Sequence, residues 1–175
     1  MPAGLDERLR KVRLVIFDVD GVLTNGTINI DYNGHEIKVF DVQDGMGIVL
    51  FRKCGYKTAI ISARTSKAVE ARASDLGIDS VKLSVYPKVS AYDEVKSELG
   101  MSDEQICFIG DDLTDLCLMK RVGLAVAVAN AREEMKRLAH YVTVKHGGQG
   151  AVREVLEMIL KAQGKWDGII EEMAQ

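Results

Sequence analysis

The sequence predicts an α/β fold: a parallel sheet with helices on both faces, plus a protruding β-hairpin. Three observations predict it. Short apolar runs alternate with helix-like segments. Most runs are apolar at consecutive positions, as strands buried on both faces require. One segment breaks the alternation around Asn33-Gly34, a strong hairpin signal. The 175 residues suffice for one domain spanning 1–175, with little room for a second.

Taken in order, the strands are expected at 13–17, 57–61, 80–84, 105–109 and 124–128. Helices are expected near 44–54, 65–76, 88–99, 112–121 and 131–138, which makes the repeating β-α unit of a parallel sheet. A last helix near 150–162 carries Val152, Val155, Leu156, Ile159 and Leu160 at i, i+3, i+4, i+7 and i+8, a stripe suited to packing on the sheet. The hairpin, about 27–40, pairs 27–31 with 36–40. Such an arm is marginal alone, so Ile28, Ile30, Ile37, Val39 and Phe40 need a partner surface. Folding back on the same domain would supply one; a subunit interface is the preferred expectation. The tail, about 163–175, holds the only tryptophan, Trp166, expected either to anchor the tail on a neighbour or to lie exposed.

Hydrophobic residues make up 47% and charged residues 28%, an ordinary globular balance. The net charge of −3 lacks the basic footprint of a nucleic-acid or membrane-surface binder. Cys54, Cys107 and Cys117 are odd in number without CxxC spacing, which suits a reducing compartment and packing roles. No apolar run approaches the roughly 20 residues of a membrane span, and the first residues lack an apolar signal core. A cytoplasmic location is expected. His35, His140 and His146 are isolated and are read as surface or packing residues.

In an open α/β sheet, ligands bind beyond the carboxyl ends of the strands. Asp18-Val-Asp20 follows the first strand and Ser62-Ala63-Arg64 the second. Gly110-Asp111-Asp112-Leu-Thr-Asp115 follows the fourth, and Lys88 opens the helix after the third. Several carboxylates in one crevice repel one another unless a cation compensates. Oxygen donors without His or Cys suit Mg²⁺, which takes one or two carboxylates plus phosphate and water. A carboxylate could then attack phosphorus, with Lys88, Ser62 and backbone N–H groups neutralising charge.

Asp18-Val-Asp-Gly-Val-Leu-Thr24 resembles the nucleophile motif of the haloacid dehalogenase superfamily, and Ser62, Lys88 and Gly110-Asp111-Asp112 match its later motifs in order. The resemblance implies a Rossmann-like sheet and a magnesium-dependent phosphatase. Asp18 would be the nucleophile that becomes an aspartyl phosphate, and Asp20 the general acid and base. Asp18, the backbone carbonyl of Asp20 and Asp111 would hold Mg²⁺, Ser62 and Lys88 the phosphate, and Asp112 would support the metal shell. The gaps between motifs leave no room for a cap domain, so a neighbouring protomer is expected to serve as the lid.

Within the superfamily, Asn33-Gly34-His-Glu36, Phe40-Asp-Val-Gln-Asp44-Gly45, Arg72-Ala-Ser-Asp-Leu-Gly77 and Gly147-Gly-Gln-Gly-Ala-Val-Arg-Glu154 resemble the capless 3-deoxy-D-manno-octulosonate 8-phosphate (KDO 8-phosphate) phosphatases. That likeness implies a homotetramer, a sugar-acid phosphate substrate and a role in lipopolysaccharide sugar supply. It places Asp44, Gly45, Arg64 and Arg72 at the substrate. Arginine suits a carboxylate through its bidentate fork. Arg72 is alternatively a surface cation paired with Asp75, and Asp44 a helix N-cap. Gly147-Gly148 resembles a phosphate cradle, although a plain turn fits as well. Ala63, Gln43, Asp41, Val49 and Ser84 depart from the branch pattern and leave a nine-carbon sugar acid or broader sugar phosphates open as substrates. A phosphate-responsive regulatory protein is the non-enzyme alternative, and the acid at Asp20 argues against it.

Overall fold

The computed structural model describes residues 4–174. Its core is a six-stranded, all-parallel sheet of β1 (Leu14–Phe17), β4 (Lys57–Ile61), β5 (Ser80–Lys82), β6 (Ile106–Gly110), β7 (Leu124–Ala127) and β8 (Tyr141–Val142). The order across the sheet is β5-β4-β1-β6-β7-β8. Every residue of β1, β6 and β7 is buried, which is why these runs read as continuously apolar. A separate two-stranded ribbon joins β2 (Asn29–Ile30) to β3 (Glu36–Ile37).

From β1 the chain winds outward through α2 (Val42–Lys53) to β4 and through α3 (Lys67–Leu76) to β5. It then returns through α4 (Val89–Leu99) to β6 on the other side of β1. The short α5 (Leu116–Met119) leads to β7, and α6 (Glu133–Leu138) to β8. Reversal of direction at β1 puts the helices on opposite faces, because parallel crossovers are right-handed. Contacts run from α2 to α3 and α7 on one side, and from α4 to α5 and α5 to α6 on the other. The reversal also opens a crevice at the carboxyl tips of β1, β4 and β6.

The predicted apolar stripe on α7 (Ala151–Ala162) is buried, packing on α1 (Leu5–Lys11) and α2. Burying each such side chain stabilises the fold by roughly 1.5–3 kcal/mol. Three elements escape the sequence reading. Helix α1 is short and mostly charged, burying only Leu5 and Leu9. Strand β8 has two residues and pairs with β7 at the sheet edge. Helix α8 (Trp166–Met173) makes the tail a folded element: it docks on this chain's own α7, buries Ile169, and holds Trp166 against Arg153 and Lys161.

The hairpin strands are shorter than expected, and the apolar face of the arm does not pack on this chain. Ile28, Ile30, Ile37 and Val39 are all more than half exposed. The turn forms as Asn33-Gly34 predicts, with Gly34 at φ 83° and Asp31 Oδ1 accepting from the N–H of Asn33 and His35. The third sheet strand stops at Lys82, short of the expected 84, and Ser84 adopts φ 59°. That left-handed conformation favours glycine, the residue the resemblance leads one to expect there.

Candidate active site

The strand ends deliver acids to one point because β1 and β6 are neighbours in register. Phe17 pairs with Ile109, and the Asp18 N–H donates to the Ile109 carbonyl at 3.0 Å. Asp18 and Asp111 therefore leave adjacent tips side by side. Asp18, Asp111 and Asp115 each offer a carboxylate oxygen within 4.8 Å of the others. Lys88 reaches the cluster from the start of α4, with Nζ 2.8 Å from Asp18 Oδ1 and 2.6 Å from Asp115 Oδ1, its side chain 1% exposed.

Asp115 was not assigned a role by the sequence reading. It is fully buried, and its second oxygen accepts from the N–H groups of Asp111 (3.1 Å) and Asp112 (3.4 Å). Asking which acid neutralises a buried lysine would have found it. Asp112, expected to support the metal shell, is exposed at the rim, and its Oδ1 accepts from the Leu113 N–H at 2.7 Å as a helix cap. The acidic cluster includes Asp115 and not Asp112.

The electrostatics follow from burial and crowding. Burial, reinforced by Asp115, pushes Asp18 up to about 6 despite Lys88. Burial, then Asp18, Asp115 and Asp112, pushes Asp111 up to about 8. Burial works against the Lys88 charge, but Asp18 and Asp115 hold its pKa above the usual lysine value. Asp111 Oδ1 is buried without a hydrogen-bond partner. Like-charged carboxyls, an orphaned buried oxygen and an all-oxygen donor set fit a hard divalent cation. Asp18 and Asp111 have oxygens free for it, whereas Asp115 is committed to Lys88 and backbone N–H groups.

Around the acids lies a crevice of about 270 Å³, lined by Asp18, Asp20, Ser62, Arg64, Lys88 and Asp111, among others. Ser62 is buried, its Oγ accepting from the Arg64 N–H at 3.3 Å. Asp20 stands across the crevice from Lys88's cluster. One of its oxygens takes the Lys38 ammonium and the other lies 3.4 Å from Arg64 Nη1. Lys38 was absent from the sequence-derived candidates.

The remaining expected residues lie elsewhere. Asp44 and Gly45 line an apolar hollow with Phe40, Ile48, Val69 and Arg72. Asp44 is neither a cap of its own helix nor open to solvent. Asp41 caps α2, and Asp44 accepts from the Gly150 N–H (3.3 Å) and Arg153 N–H (2.7 Å), tying down the first turn of α7. Burial pushes it up to about 6 against those donors. Arg72 lies across Gly45, where any side chain would strike the guanidinium, and bridges to Asp75 at 2.6 Å.

Gly147-Gly148 does not present free N–H groups to the crevice. The Gly147 N–H donates to Asn130 Oδ1 (2.7 Å), and the Gly148 N–H to the Val22 carbonyl (2.9 Å). Asn130 Nδ2 in turn donates to the Gly21 carbonyl at 2.9 Å. A Cβ at Gly147 would overlap that carbonyl, and one at Gly21, whose φ is 92°, would overlap the Asp111 carboxylate. The two glycines let three backbone segments close on the acids.

Comparison with known proteins gives the family. The model of the haloacid dehalogenase-like hydrolase family matches residues 84–156. The 3-deoxy-D-manno-octulosonate 8-phosphate phosphatase KdsC of Yersinia pestis is 44% identical over 162 residues, covering 93% of this chain and 87% of that protein. The chain belongs to this family. Among solved family members, the phosphatase from Moraxella catarrhalis, in complex with magnesium, phosphate and KDO, superposes with a TM-score of 0.96 at 36% identity, covering 99% of each chain. The cobalt-bound enzyme from Haemophilus influenzae gives a TM-score of 0.88 at 40% identity, covering 91% of this chain and 93% of its own. A parallel HAD-like sheet, a hairpin and the absence of a cap domain among the described residues go with membership. Among those residues no helix is long and apolar enough to cross a membrane.

Proposed function

We propose that the chain hydrolyses KDO 8-phosphate to KDO and inorganic phosphate through an aspartyl-phosphate on Asp18. The convergence of the Asp18, Asp111 and Asp115 carboxylates, with Lys88 paired to two of them, carries this reading. Asp18, Asp111 and the Asp20 backbone carbonyl hold Mg²⁺, which when bound offsets the negative charge that keeps a carboxylate from a phosphate dianion. Ser62 and Lys88 receive the phosphoryl oxygens. Lys88 is fixed for this by Asp115, so it meets the phosphate without reorganising. Asp20 protonates the departing sugar oxygen and then takes a proton from the attacking water, two steps that one carboxyl beside the nucleophile can serve in turn.

Arg64 stands in the crevice lining with its two terminal nitrogens facing Asp20 and Glu36. An N–H left over from those contacts can take the substrate carboxylate, while Arg72 acts from behind Gly45. The arm's inverted polarity, with apolar Ile28, Ile30, Ile37 and Val39 outward, supports a homotetramer built through the hairpins. With no cap of its own, each crevice takes its lid from a neighbour. The product suits lipopolysaccharide sugar supply in the cytoplasm.

Phosphate release with Mg²⁺ from KDO 8-phosphate, a nine-carbon sugar-acid phosphate and hexose phosphates tests the assignment. KDO 8-phosphate should lead in kcat/KM by at least about tenfold; a flat profile defeats the substrate assignment. Light scattering at micromolar concentration should report a tetramer, and a monomer would remove the lid from a neighbour.

A further inference from the structure

Four charged side chains, Asp20 among them, close a ring at the crevice. The Lys38 ammonium meets one Asp20 oxygen and lies 3.3 Å from Glu36 Oε1. Arg64 Nη2 lies 2.7 Å from the same Glu36 oxygen, and Arg64 Nη1 3.4 Å from the other Asp20 oxygen. Two residues of this ring, Glu36 and Lys38, belong to the hairpin. The arm's alternation explains how they get there: Glu36, Lys38 and Phe40 turn inward while Ile37 and Val39 face out. The Lys38 side chain is only 2% exposed, unlike an ordinary surface lysine.

We propose that Lys38, held by Glu36, is a positioning residue that aims the Asp20 carboxyl at the leaving-group oxygen. The proposal rests on the reading of Asp20 as acid and base. A carboxyl on a loop has two free side-chain torsions, and proton transfer demands heavy-atom approach to about 2.6–3.2 Å. Fixing one oxygen with a buried ammonium and approaching the other with a guanidinium removes that freedom. Because Glu36 and Asp20 together balance the two cations, the ring is neutral as a whole, and Asp20 is held without a large net field at the phosphate. The hairpin thus contributes to catalysis from within its own chain, whatever it does between chains.

The test compares leaving groups. An alkyl phosphate needs its departing oxygen protonated, whereas p-nitrophenyl phosphate releases a stable anion. For both, kcat/KM reports events through transfer to Asp18 and is blind to the later water step. Lys38→Met should lower kcat/KM on KDO 8-phosphate about 10- to 100-fold, within the roughly 10²–10⁴-fold span of general acid–base catalysis, and on p-nitrophenyl phosphate less than about threefold. Lys38→Arg should recover most of the alkyl activity. Glu36→Gln, which leaves the ammonium in place, should show the same selectivity more weakly, and carries the test if Lys38→Met does not fold. Equal losses on both substrates, or none on either, overturn the proposal. Asp20→Asn separates the premise: if it lacks leaving-group selectivity, the acid/base reading fails and takes this inference with it. If it shows selectivity that the Lys38 and Glu36 variants lack, only the positioning role is refuted.

Discussion

Stripping the divalent cation and raising the pH should destabilise this protein, the reverse of what an ordinary paired carboxylate does. A carboxyl whose pKa rises on folding binds a proton that the unfolded chain has already released, so stability falls as pH rises between the two pKa values. Asp111 stands at about 8 in the folded chain against 3.8 for the isolated group. Asp18 and Asp44, both near 6, have largely finished titrating above that value, which leaves the window from pH 6 to 8 mostly to Asp111. One proton across two pH units corresponds to roughly 2–3 kcal/mol at about 1.36 kcal/mol per unit. For a chain of this size that is a fall in Tm of roughly 5–10 °C. Calorimetry in EDTA from pH 6 to 8 should show this slope. Millimolar Mg²⁺ should flatten it, because the ionised carboxyl then has a partner, and the stabilisation by Mg²⁺ should be larger at pH 8 than at pH 6. Asp111→Asn should flatten the EDTA slope without metal. A metal-free Tm that is level or rising across the window, matching the variant's, would refute the argument.

Asp18→Asn should abolish phosphate release while keeping the native circular dichroism, since the amide still fits beside Lys88; measurable turnover would rule out Asp18 as nucleophile. Gly147→Ala should cut kcat at least about tenfold, because the methyl displaces the Gly21 carbonyl and with it the loop that follows Asp18 and packs against Asp111; steady-state kinetics at saturating Mg²⁺ check this. Asp44→Ala should lower stability by about 1–2 kcal/mol in urea titration, the usual cost of losing a helix cap, by freeing the N–H groups of Gly150 and Arg153. Leu156→Ala, at the centre of the buried α7 stripe, should cost about 2–5 kcal/mol.

What could be read from the sequence was what repeats or runs. Continuous apolar segments such as Leu14–Phe17 and Ile106–Gly110 are strands because both faces are covered, and the residues just past them form the crevice. Elements held by few side chains were not legible. Tyr141–Val142 is a strand only because β7 offers it a ladder, and α1 shows too little apolar pattern beyond Leu5 and Leu9. Asp115 was hidden by the adjacent pair Asp111-Asp112, which draws attention to itself while one member merely caps a turn. Lys38 was missed because the hairpin was read for its apolar side chains and the partner surface they need. The face opposite them, which carries Glu36 and Lys38, turns toward Asp20.

That arrangement and the acidic cluster are two consequences of one economy. With no cap domain among the described residues, the charges in the crevice are balanced by what the sheet edge and one short arm can reach. Lys88 is buried by contacts to two acids, and Lys38 by contacts to two more, so each cation is spent on a carboxylate pair. Asp111 is the carboxyl left over, with an unpartnered oxygen and a strongly raised pKa. A single fixed cation beside Asp111 would lower that pKa and relieve the strain, but it would also occupy the place where a divalent ion and the phosphate must meet. Crowded carboxyls that lack a cation raise the free energy of the metal-free fold, and an ion bound beside Asp111 relieves that repulsion.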